Sequence, residues 1–182
     1  MTAKDQSDYP AVMLFDPDPK IDGQILNKKR MNHMFKHILC PTDLEERSDM
    51  AVKKAVQLAH QYGSKITLLN VHEEFMDKEE REMLRVSVSK MKDKYKRIAI
   101  DSKEEMKAVI QKLHADDIEV DYLLHKGKPD DAIVEVAEKL GVDLIIMCTD
   151  GRDNLKDFVI GTITEHVINS ARCPILVIPN KN

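Results

Sequence analysis

The sequence contains no tryptophan, and phenylalanine and tyrosine together reach only 4% of its 182 residues. Any core must therefore be aliphatic, built from Val, Ile, Leu and Met. Cysteine is scarce and odd in number: Cys40, Cys148 and Cys173, with no C-x-x-C pair. A disulfide framework or a zinc knuckle is disfavoured, and reduced thiols are the simple reading. Long hydrophobic runs are also missing. The longest are Ala11–Phe15 and Leu144–Cys148, whereas a membrane-spanning helix needs about 20 apolar residues. The first thirty residues lack the basic start and the apolar stretch of a signal peptide. A soluble, cytoplasmic protein is expected. With a net charge of −4 and a pI near 6.0, the chain also lacks the broad basic field of a general nucleic-acid binder.

Several catalytic spellings are absent. There is no G-x-x-x-x-G-K-[ST] for a P-loop, no G-x-G-x-x-G after the first expected strand, and no G-x-S-x-G or H-E-x-x-H. His72 and His125 fall near the ends of expected strands, but two histidines without a carboxylate pattern are a weak metal signal. No metal site is expected, and nothing favours a flavin or redox enzyme.

What is present is 42% hydrophobic and 33% charged residues, enough for one core. Residues 1–34 differ from the rest. They carry Pro10, Pro17 and Pro19 and a basic knot at Lys28, Lys29 and Arg30. They read as an irregular N-terminal extension, or as a segment whose Val12, Leu14 and Phe15 cover a sheet edge or a partner's groove. Residues 35–182 read as a single α/β domain. His37–Pro41 is a short apolar strand. A helix capped at Ser48 or Asp49 runs to Tyr62 and stops at Gly63. Lys65–Val71 is the second strand. From Asp77 to about His114, Leu84, Val88, Met91, Tyr95, Ile98, Met106, Val109, Ile110 and Leu113 keep helical spacing, with a break expected near Ala99–Ser102. Ile118–His125, Val142–Cys148 and Pro174–Ile178 are further strands. Helices over 130–140 and 161–171 separate them.

This alternation requires parallel strands with right-handed crossovers and helices on both faces. Ligands of such sheets sit beyond the carboxyl ends of the strands, where strand order reverses. One spacing falls there. Gly151 follows strand four, and Gly161-Thr162 opens the last helix, whose free N–H groups and hydroxyl suit a phosphate. Asp43, after strand one, is a carboxylate able to hold ribose hydroxyls. Sugar near strand one and phosphates on the last helix make a mononucleotide-shaped site.

From Phe35 to Pro179 the chain resembles the universal stress protein family. The matching pieces are His-Ile-Leu-Cys-Pro-Thr-Asp from His37, Asn70-Val71-His72, Gly127-Lys128-Pro129, Gly151 through Gly161-Thr162, Thr164-Glu165, and Arg172-Cys173-Pro174-Ile175-Leu176-Val177. The nucleotide-binding branch carries G-x2-G-x9-G-[ST]. Here Gly151, Gly161 and Thr162 keep its spacing, and Cys148 stands in place of its first glycine. The resemblance implies a doubly wound five-stranded parallel sheet, strand order 3-2-1-4-5, after an N-terminal tail. It also implies a stress-response regulator that binds ATP, or ADP or AMP, with Mg as counter-ion. Asp43 would hold the ribose, and Thr42 and Val71 would border the adenine. Gly151, Gly161, Thr162 and the following Ile163 and Thr164 would cradle phosphates, with Pro41, Gly127, Met147, Cys148 and Thr149 completing the site. With no residue in a clear catalytic-base role, at most weak ATP hydrolysis is expected. The resemblance further implies a homodimer through the strand Ile175–Ile178. The alternative is an interaction module of the same family that binds no nucleotide.

Overall fold

The computed structural model describes residues 34–73, 88–149 and 160–179. The apolar run Ala11–Phe15, the start of the long helix at residues 77–87, and Gly151 with most of its loop lie outside them. Five strands, β1 (His37–Thr42), β2 (Lys65–His72), β3 (Val120–Lys126), β4 (Leu144–Thr149) and β5 (Ile175–Pro179), alternate with four helices, α1 (Asp49–Tyr62), α2 (Val88–Lys112), α3 (Pro129–Leu140) and α4 (Thr162–Ser170). The sheet is parallel throughout, with order β3-β2-β1-β4-β5, as expected.

The core is aliphatic and lies in two layers. Ile38, Cys40, Ile66, Leu68, Leu144 and Ile146 pack beneath α1 and α2; Leu39, Leu69, Ile145 and Met147 pack against α3 and α4. Successive residues of β1 therefore bury opposite faces, which is why a central parallel strand reads as a continuous apolar run. Alanines at 51, 55 and 59 of α1 are all buried, so this helix lies close to the sheet. Gly63 ends it with φ +69°, donating its N–H to the Ala59 carbonyl at 2.8 Å; a side chain there would be strained.

Most element ends shift by one or two residues from the periodicity reading, and three differences have a clear cause. α2 runs unbroken through residues 99–102. Ser102, Met106 and Ile110 are all buried and spaced by four, so Ser102 is a small polar member of the inward stripe, and no proline or glycine interrupts the backbone. β4 starts at Leu144 because Val142 N–H still bonds the Ala137 carbonyl at the end of α3. The Asp143 carboxylate meanwhile accepts the Lys36 and His37 N–H groups, both at 2.9 Å. β3 starts at Val120 because Ile118 N–H closes a turn onto the Ala115 carbonyl.

Candidate functional site at the carboxyl edge

The cleft begins with a proline in the central strand. The Lys36 carbonyl accepts from Lys65 on the β2 side, and the His37 carbonyl accepts from Asp143 on the β4 side. Odd-numbered residues of β1 therefore turn their polar groups toward β4. Pro41 is one of these, and it has no N–H to give. The pairing of β1 with β4 is limited to Ile38–Leu144 and Leu39–Ile145, whereas pairing with β2 continues to Thr42–Asn70. The sheet thus parts at its carboxyl edge between β1 and β4, where strand order reverses.

The loop after β1 is held by a chain of short bonds. Leu44, with φ +65°, donates its N–H to Thr42 Oγ1 at 3.0 Å. Thr42 Oγ1 meets Ser48 Oγ at 2.8 Å, and Ser48 Oγ donates to the Glu45 carbonyl at 2.8 Å. The Asn70 side-chain amide donates to the Thr42 carbonyl at 2.9 Å. Asp43 is fixed from two sides: Oδ1 accepts the Glu45 N–H at 3.0 Å, and Oδ2 accepts Arg47 Nε at 2.8 Å. Across the opening stands the N-terminus of α4. Its cap is Gly161, in extended backbone, and no side chain among the described residues caps the helix. The first-turn amides thus have no side-chain acceptor among the described residues.

These elements enclose a cleft of about 220 Å³. Of the residues expected from the sequence, Pro41, Thr42, Asp43, Val71, Met147, Cys148, Gly161, Thr162, Ile163 and Thr164 all line it. Gly127 and Thr149 do not. Gly127 ends β3, two strands away from β1, with φ +152° and its N–H on the His72 carbonyl at 3.1 Å. Thr149 is buried opposite Pro179 of β5. Gly151 is outside the described residues.

The lining also includes Arg47, Ser48, Leu69, Pro129 and Ile133, which the sequence reading had not placed there. Leu69 and Ile133 carry the ordinary period of a strand and a helix, and only their position at the edge brings them into the cleft. The wall is mixed. Pro41, Leu69, Val71, Pro129, Ile133 and Met147 make an apolar side, and Asp43 with the α4 N-terminus makes a polar one.

Cys148 is not bound for the α3 and α4 face. Its Sγ–H donates to the Arg47 carbonyl at 3.2 Å, and it packs with the layer beneath α1 and α2. Cys40, in the same layer, has its thiol pushed far up, first by complete burial and then by the neighbouring Cys148.

His72 and His125 are not a ligand pair. Val71 faces His125 and His72 faces Lys126 in the β2–β3 register, so the two side chains leave opposite faces of the sheet. The one cluster of metal-ligating groups among the described residues is Asp130, Asp131 and His166, with ligand atoms within 4.8 Å of one another. Its two carboxylates sit in the first turn of α3, where the helix dipole already favours them.

An open, doubly wound α/β sheet whose strands part at a switch point, with a cleft there of mixed apolar and polar lining, defines the fold class. Within that class the chain belongs to the universal stress protein family, whose model matches residues 34–179. Universal stress protein MJ0577 of Methanocaldococcus jannaschii is 31% identical over 162 residues, covering 84% of this chain and 99% of its own. The solved structure of MJ0577 superposes with a TM-score of 0.64 at 32% identity, over 82% of this chain and 99% of that one. Two more distant structures share the fold. UspA from Lactobacillus plantarum has a TM-score of 0.62 at 22% identity, over 79% of this chain and 97% of that one. A universal stress protein in complex with cAMP has a TM-score of 0.58 at 16% identity, over 81% and 99%. No helix among the described residues is long and apolar enough to cross a membrane.

Proposed function

We propose that the cleft binds an adenine nucleotide, ATP or its ADP or AMP forms, and that the protein is a stress-response regulator acting through this binding. The observation that carries the reading is the pairing, in one cleft, of Asp43 with the N-terminus of α4, which no side chain among the described residues caps, across the parted strands. The apolar wall of Pro41, Leu69, Val71 and Met147 suits a purine ring. The Asp43 carboxylate is an acceptor for ribose hydroxyls. The amides from Thr162 to Thr164, with the Thr162 hydroxyl, are donors for phosphate. The spacing of Gly151, Gly161 and Thr162 matches the nucleotide-binding branch of the family. Magnesium would enter with the phosphates rather than through a protein cage.

The experiment is direct. The purified protein is denatured and any released adenine nucleotide identified. ATP binding by the parent is then compared with Asp43→Ala and Thr162→Ala. Each variant is expected to lose about tenfold or more, since each removes a hydrogen bond with one ionised member, the Asp43 carboxylate in the first and the phosphate in the second. Unchanged affinity in both variants would discard the assignment.

One observation favours a second reading, an interaction module of the family without nucleotide. Cys148 occupies the first glycine position of the motif and ties β4 to the turn carrying Arg47. Cys148→Gly separates the two readings. A sharp gain in ATP affinity marks the cysteine as an obstacle, and an unchanged affinity marks it as a harmless lining residue.

The homodimer belongs to the same proposal. Among the described residues β5 pairs only with β4, and its other edge would pair antiparallel with the β5 of a second copy.

A further inference from the structure

The strand β3 lies at an edge of the sheet. Among the described residues it pairs only with β2. Ile66 donates its N–H to the Glu119 carbonyl at 2.9 Å, so odd-numbered residues of this strand turn their polar groups toward β2. Val120, Tyr122 and Leu124 turn theirs outward. Such an edge is commonly blunted by a proline or a bulge. The run Val-Asp-Tyr-Leu-Leu-His-Lys has no proline, and its pairing with β2 continues one for one from Val120 to Lys126.

A cavity of about 530 Å³ follows the amino half of this edge. Its lining takes the consecutive strand residues Val120 to Leu123, with Leu140 of α3 and with Lys103 and Lys107 of α2. Val120 and Tyr122 pack in the layer beneath α1 and α2, and Leu123 packs in the layer of α3 and α4. The cavity therefore wraps round the edge instead of lying on one face. An added strand has that shape, because its side chains alternate between the two faces of the sheet. The two sides differ chemically. On the α3 side stand Leu123 and Leu140, the latter 40% exposed, and Asp121 there is matched by Lys65 at 3.8 Å. On the α2 side Lys103 has no ionic partner among the described residues, and Lys107 meets Glu104 at 2.8 Å in an exposed pair of little strength. Lys103 and Lys107 stand about 6 Å apart along the helix axis, close to the roughly 6.7 Å between alternate residues of a strand.

We propose that the β3 edge is a docking site for an extended segment of a partner protein that alternates apolar and acidic residues and joins the sheet as an added strand. Its apolar side chains lie against Leu123 and Leu140. Its carboxylates, at alternate positions, face Lys103 and Lys107. Its backbone bonds the outward groups of Val120 and Tyr122. The site lies at the amino half of β3, whereas the cleft opens at the carboxyl ends of β1 and β4, so the docking does not depend on the nucleotide reading.

The probe is a short dye-labelled synthetic peptide of alternating valine and glutamate. Its binding to the full chain is measured by fluorescence anisotropy for the parent and for the double variant Lys103→Glu, Lys107→Glu, with circular dichroism as the folding control. The variant is expected to bind about five- to tenfold more weakly, the size of two exposed ion pairs. It is also expected to prefer a valine–lysine peptide, which the parent does not. Hydrogen exchange distinguishes strand addition from a charge contact alone. The peptide should slow the outward amides of Val120 and Tyr122 and leave those of Asp121 and Leu123, which face β2, unchanged. Equal affinity for the first peptide in parent and variant, or bound peptide without slowed exchange at Val120 and Tyr122, overturns the proposal. So does the absence of saturable binding to the full chain, as when the edge is held by a second copy or by another segment of the same chain.

Discussion

At the residue scale, His37 shows how a polar group is accommodated in an apolar strand. It is buried, and its Nε2 meets Thr67 Oγ1 at 2.8 Å. Burial holds its pKa below the ordinary 6.5, helped by nearby Lys65 and opposed by Asp121 and Asp143. The unfolded chain therefore takes up a proton at a higher pH than the folded chain. His37 contributes its full stability above about pH 6.5 and loses it as pH falls through the lower folded value. Thermal melts from about pH 7.5 down to about pH 5.5 should show a decline in the parent that is shallower in His37→Gln. An identical slope in both would remove His37 as its source. Cys40 is a second case. Its complete burial keeps the thiol protonated and inaccessible. Maleimide labelling of the native protein, read by peptide mass spectrometry, should leave Cys40 unmodified, and labelling at the rate of the unfolded chain would contradict its burial.

At the scale of elements, α2 depends on a narrow stripe. It is 25 residues long, and most of its described surface is exposed and charged. Met106 and Ile110 are its most buried apolar positions, at 1% and 3% exposure. Removing the Met106 side chain leaves a void beneath a helix with little else to hold it. Met106→Ala is expected to cost about 2–5 kcal/mol, measured by urea unfolding at constant m-value. A cost under about 1 kcal/mol would mean that the stripe is not what attaches this helix. The loop after β1 obeys different rules. Leu44 packs against the core layer and Ser48 is buried, and the shape of the loop is further kept by the Thr42–Ser48–Glu45 bonds and by Leu44 in left-handed backbone. A loop anchored in this way holds the exposed Asp43 in place, a common arrangement for a residue carried on a rigid scaffold.

At the scale of the whole molecule, the dimer proposal has a clean test in the parity of β5. The Pro174 carbonyl accepts Ile145 N–H, so even-numbered residues of β5 face β4 and the N–H of Val177 faces outward. Val177→Pro deletes an outward donor while leaving the β4 ladder intact, a position where an edge strand tolerates proline. The variant is expected to be a folded monomer under conditions where the parent is a dimer, measured by light scattering with circular dichroism as the folding control. A Val177→Pro dimer as tight as the parent would place the interface elsewhere.

The class of fold was legible in the sequence because apolar periodicity and terminal glycines are local signals. The continuous run Leu144–Cys148 and the stop at Gly63 needed no knowledge of neighbours. The polar half of the cleft was legible too, since Asp43 and Gly161-Thr162 follow strands whose ends must share an edge. The tertiary structure alone decided which residues complete the wall. Leu69 and Ile133 look like any core positions, and Arg47 sits in a run of charges that would ordinarily stay in water. Their roles come from Pro41, whose missing N–H faces β4 and ends the ladder there. A hydrogen bond that cannot form is a fact of the sequence, but the side toward which it is missing depends on how the strands are laid together.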